Sequence, residues 1–392
     1  MQLSLVHRNI RIEYVADEQS LLDAIKEINQ CKEIGFDLEF DRDRFQYGFN
    51  LCLIQVALPK KCFVIDPLKG FDLKPLFAVF ENPDICKVAS ACDQDLRLLH
   101  TLNCKPKNVF DTDIAAKLLD YEFSSILKLV AAKFDVEMNK QLQTSNWGLR
   151  PLSIAQITYS VEDVIFLIRL KHILEQEAKD RGVHEWLEDE WYCLDQIAYE
   201  VADENNLLGK DEKKLSPYHQ FVINELLKYR EKIAQKFKRP PNHIFPKALI
   251  LSIAFEEIDP RNWTSQVGIY PSLKNESFAE SITQLYHGAV AKANEQKLNR
   301  KTDYQMMTDE DRKRASIAKF ENERIKQEVF QPIQQLIADR YGKFTSRYIL
   351  SNAKVTDILQ TDARIGDFKA NYKKQLILRC ADELGIDVNP FF

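Results

Sequence analysis

The stretch that most constrains the fold is Ile34-Gly35-Phe36-Asp37-Leu38-Glu39-Phe40, where apolar and acidic residues alternate. In a β-strand this period of two puts Phe36, Leu38 and Phe40 on one face. Asp37 and Glu39 take the other, their carboxylates roughly 7 Å apart along the strand. The apolar face can enter a core. On the opposite face each carboxylate raises the other's pKa unless something neutralises the pair. A solvated edge strand answers that need with water. A divalent cation answers it with charge, and hard ions such as Mg²⁺ and Mn²⁺ favour oxygen ligands. The choice turns on whether more acids are placed to converge on this pair.

The 392 residues suit two or three domains, and only 11 Gly and 14 Pro suggest a largely helical chain with few long loops. No run of 18 apolar residues occurs, so no membrane-spanning helix is expected. The segment MQLSLVHRNI lacks the pattern of a secretory signal. Eight Cys are scattered without a Cys-x-x-Cys pair. They read as reduced, buried thiols of a cytoplasmic protein, not as a zinc or disulfide framework. The net charge of −5 hides a split, with −12 over residues 1–205 and +7 over residues 206–392. That division suggests a site that needs cations joined to a module that tolerates polyanions.

Taken in order, 10–15 alternates like a strand, and Asp17 caps an amphipathic helix. After the Asp37/Glu39 strand, 51–57 and 62–65 read as a hairpin turning at Pro59-Lys60-Lys61. Residues 71–80 form a helix, 86–89 a strand that feeds a helix over 93–102, and Phe110 leads through Asp111 into another helix. This alternation predicts a mixed sheet with helices on its faces. One helix is expected from Ser153 to about Lys179 and another over roughly 185–205. Beyond the polar segment 206–214 only helical patterns occur. An apolar stripe of Tyr218, Phe221, Leu226 and Tyr229 runs into the basic patch 236–239, and a charged stretch at 291–315 precedes a second helical segment. The expected domains are 1–205, 206–299 and 300–392.

Further acids are placed to join the pair. Asp93 sits where an N-cap belongs, and Asp95 lies two residues further along the first turn. Tyr159 and Asp163 are four apart and share one helix face. They are surrounded by Val161, Val164, Ile165 and Leu167, and acids are seldom buried unless paired or metal-bound. Glu162, about 100° around that helix, reads as solvated.

The full constellation, with Leu53-Ile54-Gln55, Asp66-Pro67-Leu68, Asp111-Thr112, Trp147 and Arg150-Pro151-Leu152 in order along roughly residues 10–200, resembles the ribonuclease D family of DEDD 3′→5′ exonucleases. The resemblance implies an α/β RNase H-like (DnaQ-like) exonuclease domain with a mixed sheet. All-α HRDC-like domains would follow, more loosely matched over 211–290 and divergent over 316–392. It implies that Asp37, Glu39, Asp95 and Asp163 hold two divalent cations, Mg²⁺ or Mn²⁺, with Tyr159 orienting the attacking water. It implies an RNA substrate with tRNA precursors foremost and nucleoside 5′-monophosphate products; a monomer is expected. Phe40, Trp147, Lys140, Arg150, Lys236, Lys238 and Arg239 are the candidate nucleic-acid contacts. A DNA exonuclease of the Werner type and a catalytically inactive RNA-binding module are the alternatives. The charge split further predicts that a chain cut near residue 208 stays a soluble exonuclease with weaker RNA binding.

Overall fold

The computed structural model describes residues 4–138, 141–199, 205–301 and 309–392. The strands are β1 (Ser4–His7), β2 (Ile10–Val15), β3 (Glu33–Arg42), β4 (Phe49–Ala57), β5 (Lys61–Ile65), β6 (Cys86–Ala89) and β7 (Val109–Asp111). The helices of the same region are α1 (Glu18–Ile28), α2 (Lys74–Glu81), α3 (Asp93–Thr101), α4 (Thr112–Leu118), α5 (Ile126–Phe134), α6 (Ile154–Glu162), α7 (Leu167–Asp180) and α8 (His184–Asp195). Then come α9 (Pro217–Phe237), α10 (Pro241–Ile244), α11 (Lys247–Ala254) and α12 (Glu276–Glu295). The chain closes with α13 (Asp309–Ile325), α14 (Gln331–Tyr341), α15 (Lys343–Ile349), α16 (Asn352–Gln360) and α17 (Asn371–Leu384).

The seven strands form one mixed sheet in the order β1-β2-β5-β4-β3-β6-β7. β4 and β5 pair antiparallel, the expected hairpin, whereas β3, β6 and β7 run parallel, as do β2 and β5. β1, which the alternation pattern did not reveal, pairs antiparallel with β2 across a turn where Arg8 and Asn9 both have positive φ. Within β3, Phe36 and Leu38 are buried and Phe36 packs on Phe80 of α2, with ring centroids 5.3 Å apart. That apolar anchoring fixes the register, and so turns Asp37 and Glu39 to the other face.

The described residues form two compact units whose membership is not linear. The smaller unit takes in residues 41–50 and 200–314. Its core gathers Tyr218, Leu226, Phe245, Ile250, Trp263 and Ile282, with Tyr47 packed against it. α9 begins at a Ser216 cap with Pro217 in its first turn and ends where Lys238 adopts a left-handed conformation. The larger unit takes in residues 1–40, 51–199 and 315–392.

The last helical segment therefore differs from the separate third domain expected over 300–392. Phe330, Ile333, Ile349, Tyr372 and Leu376 share one apolar core with Phe110, Leu118, Leu174 and Leu187. Trp186 of α8 stacks on Tyr372 at 5.0 Å and packs against Tyr341 at 4.7 Å. Asp120 accepts from the Phe344 and Thr345 amides at 2.6 and 3.2 Å, and Gly342 fits there because a Cβ would lie 1.9 Å from the Asp120 carboxyl carbon. The sequence concealed this arrangement because an apolar helix stripe demands cover without naming its source.

A chain ended near residue 208 is therefore expected to lose the cover of Trp186 and Leu187, and to aggregate or lose fixed tertiary structure, contrary to the expectation from the charge split. Size-exclusion chromatography and near-ultraviolet circular dichroism read this directly. A monodisperse truncated protein that keeps a strong near-ultraviolet signal and a single cooperative melt would refute the shared core.

Candidate active site

β3 presents Gly35, Asp37 and Glu39 on one face. At Gly35 a Cβ would meet the Val164 carbonyl oxygen at 2.8 Å and the Leu167 Cβ at 3.4 Å. The strand thus lies directly against the chain break between α6 and α7, and that break carries Asp163. The single helix expected over 153–179 is interrupted there: α6 stops at Glu162, Asp163 is its C-cap, and α7 restarts at Leu167. No Gly or Pro marks the interruption. Packing imposes it, with Val164 against Gly35 and the Phe166 ring stacked on Phe134 at 5.4 Å.

Asp95 arrives from the first turn of α3, whose start is held by Asp111. That buried carboxylate accepts the amides of Ala91 at 2.8 Å and Cys92 at 3.0 Å while capping α4 through the Asp113 amide at 2.8 Å. Ala91 takes a positive φ of 54°, and Cys92, not Asp93, occupies the cap position of α3. Asp93 instead accepts from the Tyr199 hydroxyl at 3.2 Å and from Gln94 at 2.8 Å.

Carboxylate oxygens of Asp37, Glu39 and Asp163 all lie within 4.8 Å of one another. Burial pushes the Asp37 carboxyl well above its usual range, reinforced by the charges of Asp95, Glu39 and Asp163. Glu39 is raised by burial, then by Asp163 and Asp95. Burial lifts Asp95 to about 7. Its Oδ1 is buried without a hydrogen-bond partner among the described residues. An all-oxygen donor set, closely spaced, mutually repulsive and with an unsatisfied oxygen, fits a hard divalent cation. Tyr159 hydrogen-bonds Asp163, and its hydroxyl is pushed up first by burial and then by the charges of Asp163, Glu39 and Asp37. It therefore keeps its proton at neutral pH and acts as a donor.

Residues 12–179 match the 3′-5′ exonuclease family. The ribonuclease D of Desulfotalea psychrophila is 30% identical over 246 residues, which cover 61% of this chain and 66% of that relative. The ribonuclease D of Bartonella henselae is 27% identical over 259 residues, covering 65% and 64%. The chain is thus similar in sequence to ribonuclease D proteins. It spans slightly less than two thirds of the length of these curated relatives. The crystal structure of Escherichia coli RNase D, an exoribonuclease involved in structured RNA processing, aligns over 94% of this chain and 98% of its own. The TM-score is 0.69 at 20% identity, a likeness of fold.

Several expected contacts take other places. The Arg150 guanidinium is held by Asp66 through two bonds of 2.7 Å, and it also donates to the carbonyls of Cys52, Trp147 and Leu149. With its donors turned inward it fixes the segment after Trp147 and has no fork left for a phosphate. Trp147 is 3% exposed and packs beside Tyr159 at 5.9 Å, so its ring is core and not an open stacking platform. Glu162 is not solvated: it accepts from Arg8 at 3.0 Å and pairs with His7 Nε2 at 2.9 Å. Phe40 is half-buried beside Glu39. Lys140 lies outside the described residues. In the smaller unit Lys236, Lys238 and Arg239 are exposed at the end of α9, and Arg239 lies over the Tyr270 ring at 4.7 Å. Sequence reasoning missed Gly35, although a glycine inside a strand pattern does signal close backbone approach. Nothing in the pattern pointed to the Glu162 pairing.

The raised carboxyl pKa values set the pH response of the cation-free protein. Unfolded, these acids titrate near pH 4. Folded, Asp95 keeps its proton up to about pH 7, and Asp37 and Glu39 are raised in the same direction. The native state binds more protons across that window, so its stability falls as pH rises through it. Melting temperature in EDTA should drop from about pH 4 to about pH 7 more steeply for wild type than for Asp95→Asn, and added Mg²⁺ should restore the loss. Parallel profiles for the two proteins would show that the acids do not share this strain.

Proposed function

We propose that this chain is a metal-dependent 3′→5′ exoribonuclease that trims structured RNA such as tRNA precursors and releases nucleoside 5′-monophosphates. The observation that carries the reading is the convergence of Asp37, Glu39 and Asp163 oxygens within 4.8 Å beside the unsatisfied Asp95. These four acids would hold two divalent cations, Mg²⁺ or Mn²⁺, which supply charge stabilisation for the entering and departing oxygens of phosphodiester hydrolysis. The likeness to ribonuclease D supports RNA as the substrate.

The chain's own residues then have distinct tasks. Tyr159 donates a hydrogen bond from its protonated hydroxyl and orients the attacking water beside Asp163. The exposed Lys236, Lys238 and Arg239 contact phosphates, and the residues around them form an HRDC-like module. Those contacts make affinity fall with rising salt.

Asp37→Asn or Asp163→Asn removes a negative ligand while relieving repulsion in the cation-free site. Both variants should fold, melt no lower than wild type, and fail to shorten a 3′-extended tRNA in Mg²⁺ or Mn²⁺. A folded Asp163→Asn protein with near-wild-type turnover would overturn the assignment. Matched RNA and DNA oligonucleotides in the same assay test the sugar preference, and faster digestion of DNA would transfer the activity to DNA.

Tyr159→Phe removes one hydroxyl and leaves the ring packed beside Trp147. Loss of water orientation should slow single-turnover cleavage by roughly 10²–10⁴-fold at saturating Mn²⁺. Metal and RNA affinity should change little. Equal rates accompanied by lower stability would make Tyr159 a packing residue.

A further inference from the structure

A second recess lies in the larger unit between α8 and the segment carrying α16 and α17, with a volume of about 290 Å³. This is near the lower end, about 300 Å³, of small-molecule sites. None of the four acids lines it. Its charged lining consists of three ammonium groups, Lys354, Lys369 and Lys373, and one carboxylate, Glu190.

The carboxylate is already committed. Glu190 Oε1 accepts from the buried Tyr372 hydroxyl at 2.7 Å and pairs with Lys373 Nζ at 2.7 Å, and Tyr348 bonds it as well. Lys354 has no such partner. Its Nζ donates to the carbonyls of Tyr348 at 3.0 Å and Ile349 at 3.2 Å, and no carboxylate lies within ion-pair distance among the described residues. An ammonium has three donors, so one remains. Burial, then the neighbouring Lys373, depress Lys354 to about 8. Lys369 is exposed at the rim. The recess thus carries two positive charges beyond those Glu190 offsets. The remaining wall is apolar, with Leu194, Ile197 and the Phe368 ring, which lies 5.1 Å from Lys354 Nζ.

An anion would take the third Lys354 donor and remove the repulsion between Lys354 and Lys373. Charge alone would admit inorganic phosphate, but the apolar wall asks for a flat ring attached to it. We propose that this recess binds a phosphate monoester carrying a planar apolar group, the class to which nucleoside monophosphates belong. The site stands on its own geometry and does not depend on the exonuclease reading.

The test is calorimetric titration of the full-length protein in EDTA with adenosine 5′-monophosphate, inorganic phosphate and adenosine. Adenosine monophosphate should bind saturably at one site, phosphate more weakly, and adenosine not at all. Lys369→Glu, at an exposed position, should weaken nucleotide binding about tenfold without lowering the melting temperature, and Lys354→Gln should do the same or more. Asp163→Asn should bind as wild type does, which separates this recess from the acidic site. Absence of saturable binding, equal affinity for nucleotide and adenosine or for nucleotide and phosphate, or unchanged binding in Lys369→Glu would overturn the proposal.

Discussion

Mutual repulsion among four carboxylates is the constraint on which this structure turns. Asp37, Glu39 and Asp95 have no ion pair with Lys or Arg among the described residues, and the charges that raise Asp37 and Glu39 are those of other site acids. Such a cluster does not persist by accident of folding, because each member would gain by moving into water. It is held by elements that are fixed for other reasons. β3 is pinned by Phe36 on Phe80, α3 by the Asp111 carboxylate, and the α6–α7 break by its packing on Gly35. The stability of the surrounding core therefore maintains an arrangement that is locally unfavourable until cations arrive.

The contrast with other buried acids of the larger unit sharpens the point. Asp66 is fully buried, yet although burial pushes it up, the Arg150 guanidinium, the Tyr14 hydroxyl and the Leu68 amide hold it below its usual range. Asp111 is raised by burial but accepts three backbone amides. Glu162, immediately before Asp163, is matched by Arg8 and His7. These acids are satisfied by donors of the protein and serve the scaffold. Asp95, buried to a similar degree, keeps an oxygen with no donor and is lifted to about 7. Burial alone does not mark a functional carboxylate. Burial without a partner does.

This distinction also explains what was legible in the sequence. The period-two alternation of β3 and the Tyr159/Asp163 spacing are local, so they survive translation into structure. The mixed sheet followed from the order of strand and helix patterns. Partner choice is not local. Arg150 has the sequence signature of an exposed phosphate contact, and only the fold brings Asp66, 84 residues earlier, onto its fork. Trp147 likewise reads as a stacking residue until the core closes over it. The interruption at Asp163 has no breaker residue to announce it. The placement of residues 315–392 on the core of the larger unit depends on Trp186, Asp120 and Gly342, none of which carries a pairing signal in sequence.

Gly35 shows how finely the acidic face depends on backbone approach. Its closest neighbour for an added Cβ is not a side-chain end that could rotate aside but the main-chain oxygen of Val164, at 2.8 Å. Any side chain at position 35 must move either β3 or the α6–α7 break. The first carries Asp37 and Glu39 and the second carries Asp163, so both movements alter the spacing of the acids. Overpacking of this kind costs about 1–3 kcal/mol in a well-packed core. Here relaxation would recover that stability by separating the carboxylates. The same displacement that makes a larger residue tolerable to the fold spoils the close spacing in which the carboxylates could share a cation, so fold and site place opposite demands on this position.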